Sequence, residues 1–156
     1  MKVENLTVSS KVMHHGLTVL DFLEEASQRR VPGLPFADEQ GRIIGRISVR
    51  DVYKSVAVPD NLINFAGAIG DLTDQLDLTD EQISKLMASP VEDFLLEKMP
   101  KVTPHSSAVK ALAIMEAHNS NYVFCFDESE YKGIVTRLDL TRKMLKCFKK
   151  SRKKQG

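Results

Sequence analysis

The strongest constraint on what this 156-residue chain can fold into is that it writes one pattern twice, offset by 89 positions and then by 88. Thr18-Val-Leu-Asp-Phe-Leu-Glu-Glu-Ala meets Ser107-Ala-Val-Lys-Ala-Leu-Ala-Ile-Met, with apolar residues at 19, 22, 23 and 26 matched by 108, 111, 112 and 115. That spacing is one face of a helix, and Thr18 and Ser107 each stand one place before it, where a hydroxyl caps free backbone N–H groups. A short apolar run follows in each copy, Leu34 to Ala37 and Val123 to Phe126, then an acidic turn at Asp38 to Gly41 or Asp127 to Glu130. A second run leads into "GRISVRD" at 45–51 and "GIVTRLD" at 133–139, and the one-residue-shorter second turn accounts for the change of offset. Strand, polar turn and strand predict a hairpin. Val52 and Val56, matched by Leu140 and Met144, predict the apolar side of a closing helix.

With a short strand ahead of each helix, at Lys11 to His14 and Lys101 to Pro104, each unit reads β-α-β-β-α. A unit this small buries little by itself. The expectation is therefore an α/β (α+β) domain, a pseudo-two-fold pair of repeats packed sheet to sheet. Repeat 1 is placed at 3–57, a linker at 58–90, repeat 2 at 91–148 and a basic tail at 149–156. Thr79-Asp-Glu-Gln82 has capping-box form ahead of Ile83, Leu86 and Met87, so the linker should hold at least one helix, although Asn61 to Gly70 carries no clear pattern.

The composition, 42% hydrophobic and 28% charged, is that of a globular chain. No apolar run approaches the roughly 20 residues of a membrane span, and Met1 to Asn5 lack a signal-type segment. With Cys125 in an apolar run and Cys147 in a basic one, neither a disulfide framework nor a metal cage is suggested, and a cytoplasmic location is expected. The net charge of +1 conceals eight Lys or Arg in the thirteen positions from Arg142 to Lys154. Such a tail reads first as a solvated terminus and second as a contact for nucleic acid, an anionic membrane or an acidic partner. His14 and His15 alternate faces of a strand and make no ligand spacing with His105 and His118. Asp71, Asp74, Asp77 and Asp80 recur every three residues without the Gly and Glu of a calcium loop, and read as an acidic face. Phosphate-loop, nucleophile-elbow and zinc-protease motifs are missing, which argues against an enzyme; three Tyr and no Trp argue against a single-strand nucleic-acid platform.

Ser48…Asp51 and Thr136…Asp139 admit two compatible readings. Their spacing is that of a capping box, hydroxyl at the N-cap and acid three residues on. A strand turning into a helix also presents free N–H groups and a positive dipole end to a phosphate, while a carboxylate can accept from ribose hydroxyls. Arg50 and Arg137, inside the two phrases, either assist with phosphate charge or face solvent.

The doubled phrase in its doubled context resembles a tandem pair of cystathionine-β-synthase (CBS) domains, a Bateman module, over about residues 3–57 and 91–148. The resemblance implies a non-catalytic regulatory module that takes an adenosine-containing ligand (AMP, ADP, ATP or S-adenosylmethionine) in clefts between the repeats, as in energy sensing, and that signals by changing shape or partner. It requires no cofactor. It implies phosphate contacts at Ser48 and Thr136, ribose contacts at Asp51 and Asp139, and adenine-side positions at His14, Thr103, Leu34, Pro35, Val123 and Phe124. It also implies a homodimer and an unidentified regulated protein. Phe124 stands where the first copy has Pro35, and His14 where a smaller residue is usual, so the two clefts need not be equal. The alternative is a ligand-free dimerisation scaffold on the same fold.

Overall fold

The computed structural model describes residues 1–56, 58, 63–64, 66–68 and 77–156. The acidic positions Asp71 and Asp74 lie outside the described residues, and of Asn61 to Gly70 the described part includes a 3-10 turn at Ala66–Ala68.

The repeat is present as a repeated α+β unit. In the first copy α1 (Val19–Arg29) precedes a hairpin of β1 (Gly33–Ala37) and β2 (Ile43–Ser48), closed by α2 (Val49–Val56). The linker contributes α3 (Asp80–Ala88). In the second copy β3 (Lys101–Val102) precedes α4 (Ala108–Ala117), then the hairpin β4 (Tyr122–Asp127) and β5 (Glu130–Thr136), then the long α5 (Arg137–Gln155). β3 pairs parallel with β4, whereas the strand expected at 11–14 is reduced to one parallel bridge, Met13 to Phe36. Both hairpins are antiparallel and carry a bulge at the same place, between Phe36 and Ala37 and between Cys125 and Phe126.

The capping residues do what their spacing predicts. Asp21 N–H donates to Thr18 Oγ1 at 3.3 Å and Lys110 N–H to Ser107 Oγ at 3.1 Å. Thr79 and Gln82 form a reciprocal capping box that starts α3.

The chain divides into two compact units that do not follow the repeat order. One combines Met1–Lys11 and Arg29–Pro32 with Lys98–Gly156; the other combines Val12–Gln28 with Gly33–Glu97. In the first, the apolar side of α4 (Ala111, Met115) meets Val102, Val123, Cys125, Val135 and Leu140, and the core is completed by Val3 and Leu6 from the far end of the sequence. Burial raises the pKa of the Cys125 thiol. In the second, Val19, Phe22, Leu34, Phe36, Ile47, Val52 and Val91 are fully or almost fully buried. Of the closing helices only Val52 and Leu140 are buried; Val56 and Met144, expected on the same apolar side, stay exposed.

Candidate functional site

Each unit ends its hairpin at the head of a helix, and there the repeated phrase sits. In the second repeat Thr136 is the last residue of β5 and the N-cap of α5. Its hydroxyl donates to Asp139 Oδ2 at 2.8 Å, its backbone N–H donates to the same oxygen at 3.2 Å, and Asp139 N–H donates back to Thr136 Oγ1 at 3.1 Å. The capping reading is therefore realised in full at this helix. Arg142 Nη1 lies 3.5 Å from the other carboxylate oxygen, a long and solvated ion pair. In the first repeat Ser48 is buried at the end of β2, and Asp51 is half-buried in the first turn of α2. Among the described residues these two make no reciprocal bonds of that kind.

The strands named for the base lie beside these heads. Gly33 is opposite Ser48 and Leu34 opposite Ile47, so Leu34 and Pro35 stand next to the phrase. Tyr122 is opposite Thr136 and Val123 opposite Val135, which places Val123 and Phe124 equivalently. The neighbourhoods differ in chemistry. Pro35 offers a carbonyl that accepts from Met13 N–H at 2.8 Å. Phe124 is fully buried and meets Tyr122 edge-on at 5.4 Å and Tyr131 at 6.5 Å. His14, exposed, turns its Nδ1 to its neighbour's carbonyl at 2.8 Å, and Thr103, also exposed, bonds Ser106. The arginines separate as well. Arg50 is exposed, while Arg137 donates to Glu116 Oε2 at 2.8 Å.

The glycine of each phrase has a packing reason that the periodicity does not reveal. A Cβ on Gly45 would stand 2.3 Å from the Leu96 carbonyl oxygen, and one on Gly133 would stand 2.4 Å from the Val8 carbonyl oxygen. A strap crosses each strand at that point. Arg46 exchanges both backbone bonds with Leu96, and Ile134 exchanges both with Val8. Each strap begins with a short 3-10 turn, Val3–Leu6 or Val91–Phe94. The sequence held the signal, since Val-Glu-Asn-Leu at 3–6 and Val-Glu-Asp-Phe at 91–94 repeat with the same offset of 88.

Models of protein families match the chain at residues 8–58 and 91–146, both times as the CBS domain. The chain belongs to the CBS domain family. No curated protein sequence matches it. Its fold is similar to that of a CBS domain-containing protein of unknown function from Bacillus anthracis str. Ames Ancestor, at 17% identity and a TM-score of 0.62 over 94% of both chains. It is similar to CBSX2 in complex with AMP, at 20% identity and a TM-score of 0.61 over 94% of this chain and 97% of that one. It is also similar to the CBS domain pair of protein MJ0100 in complex with 5′-methylthioadenosine and S-adenosyl-L-methionine, at 14% identity and a TM-score of 0.61 over 92% and 95%. At these identities the likeness is one of fold. Among the described residues no helix is long and apolar enough to cross a membrane.

Proposed function

We propose that this CBS pair is a non-catalytic sensor of an adenosine-containing ligand, AMP, ADP, ATP or S-adenosylmethionine. The observation that carries the reading is the doubled hydroxyl–x–x–aspartate at a helix head. There, a buried hydroxyl, the positive N-terminal end of a helix and a carboxylate lie within one turn. Ser48 and Thr136 take phosphate or the equivalent polar group, and Asp51 and Asp139 take the ribose hydroxyls. Leu34 and Pro35 with His14 take a base at the first head, and Val123 and Phe124 with Thr103 at the second. Arg50 is available to an anionic ligand, whereas Arg137 must share its charge with Glu116. No cofactor takes part.

Binding transmits a signal only if the ligand prefers one of two states of the protein. In this reading the preferred state presents the regulated partner with a different surface. The protein works in the cytoplasm with Cys125 and Cys147 as thiols, and it works as a homodimer. Leu20 on α1 with Tyr53 and Val56 on α2 leaves exposed apolar surface for a second copy to bury.

Titration calorimetry with AMP, ATP and S-adenosylmethionine, paired with thermal shift, tests the reading. Saturable heat and a raised Tm with at least one of them is the expected result. Neither response with any of the three overturns it.

One observation favours a second reading for half of the module. The Thr136–Asp139 box is already satisfied by its own bonds, as a ligand-free scaffold would have it. Native mass spectrometry of the purified protein separates the two, because a scaffold carries no co-purifying nucleotide.

A further inference from the structure

The long closing helix is unlike its counterpart in the first repeat. α2 stops after 8 residues, whereas α5 runs for 19 and takes the basic tail into the helix. The segment expected as a terminal tail is thus an ordered amphipathic element. At 3.6 residues per turn, Leu138, Met144, Leu145 and Phe148 fall on one side of it, where Arg152 stacks over the Phe148 ring at 5.5 Å, and Lys143, Lys146, Lys150 and Lys154 fall on the opposite side. Only Leu140, at the root, is buried. Phe148 is 58% exposed and Leu145 52%.

The apolar side continues onto the neighbouring helix. α4 and α5 flank an open apolar groove of about 270 Å³, lined by Met1, Ala108, Val109, Leu112, Leu140 and Met144. Val109, on its rim, is 76% exposed. Eight Lys or Arg and no acidic residue lie between Arg142 and Lys154, so whatever meets this face must be anionic.

We propose that α5 and the groove beside it dock the protein onto the surface of an anionic lipid bilayer. A helix with Leu and Phe on one side and a cluster of Lys on the other lies in the interface plane. Its apolar side chains enter the acyl boundary and its ammonium groups reach the headgroups. Nucleic acid would use the basic side and leave Leu145 and Phe148 in water. A second copy on this face would bring two such basic segments together with no carboxylate within either to offset them. A groove that wraps a free helix is not matched either, because Leu140 roots α5 beside α4 and leaves a broad face. This inference is independent of the ligand reading, since Leu145 to Lys154 lie outside the phrase at the helix head.

Sedimentation of the full chain with vesicles tests it. Vesicles of phosphatidylserine and phosphatidylcholine should retain the protein, pure phosphatidylcholine should not, and binding should fall as salt rises. Lys146→Gln with Lys150→Gln should weaken binding about thirtyfold, from roughly 1 kcal/mol per charge. Phe148→Ser should weaken it about tenfold or more. Both variants change exposed side chains, so an unaltered Tm accompanies the loss. Three results overturn the proposal: no retention on anionic vesicles, equal retention on neutral ones, or retention that Phe148→Ser leaves unchanged. If vesicles fail while duplex DNA is bound by wild type and Phe148→Ser alike, the face is a nucleic-acid contact. If vesicles fail and Phe148→Ser halves the mass in light scattering, it is an interface between copies.

Discussion

At the head of α5, Thr136 and Asp139 are bonded to each other through a hydroxyl and two backbone N–H groups; at the head of α2, Ser48 and Asp51 hold the same places without that mutual bonding. One difference in sequence bears on this directly. Threonine is β-branched and has few χ1 states, so its hydroxyl is held where the cap needs it, whereas serine turns more freely. The surroundings follow the same division, with an aromatic cluster around Phe124 and, at Pro35, a carbonyl that accepts from Met13 N–H. Equal motifs therefore do not make equal sites. If the proposed ligand binds at both heads, it must displace an existing cap bond at the second and not at the first.

The largest expected effect breaks the parallel between the two straps. Gly45→Ala forces the Leu96 backbone to move, an overpacking cost of about 1–3 kcal/mol. Gly133→Ala meets Val8 in the same way and also takes alanine to a φ of +148°, where strain adds roughly 1–3 kcal/mol. Urea denaturation of both variants should rank Gly133→Ala as the more damaging; the reverse order would mean that the Val8 strap yields.

A smaller effect sharpens the contrast of the aspartates. Asp51→Ala and Asp139→Ala should each weaken binding of the adenosine ligand at their own head by about 1.5–3 kcal/mol for a charged hydrogen bond. Only Asp139→Ala should also lower stability in the absence of ligand, by about 1 kcal/mol of lost capping. Calorimetry gives the first quantity and denaturation the second. Unchanged affinity in both variants would leave the pair as caps alone.

The smallest effect concerns the turns. Asp38 accepts from the backbone N–H groups of Arg42 at 2.9 Å and Gln40 at 3.0 Å, and from Arg42 Nε at 3.2 Å. The backbone bond from Arg42 is the main cause that holds its carboxyl below the usual aspartate range, with Gln40 and the Arg42 guanidinium adding to it. A depressed folded-state pKa means that the contribution is present above the unfolded value and is lost as pH falls through the folded one. The Tm of Asp38→Asn should therefore fall less than that of wild type between pH 5 and pH 2, tested as roughly that window of carboxylate titration. Parallel curves would remove Asp38 from the account.

The local grammar was open to reading because it depends on near neighbours. Thr18, Ser107, Thr79 with Gln82, and Thr136 with Asp139 each cap the helix that their spacing announced, since a cap needs only a hydroxyl and an N–H two or three residues away. The hairpins followed from apolar runs around acidic turns, and the repeat itself identified the family. Long-range placement was not legible in that way. The straps at 3–8 and 91–96, which explain Gly45 and Gly133, pair residues far apart along the chain, and no periodicity encodes which strand they cross. The exposure of Val56 and Met144 likewise depends on which segments pack against each helix once the chain is folded. The order of the basic segment from Arg142 to Lys154, read from composition first as a solvated terminus, depends on a helix started by Thr136 and rooted by Leu140. Sequence determined the repeat, its caps and the residues of the phrase, because these are fixed by contacts within a few positions. Tertiary structure decided which of the two phrases is closed on itself, why each needs its glycine and which face of α5 is left uncovered, because those depend on segments that meet only when the chain is folded.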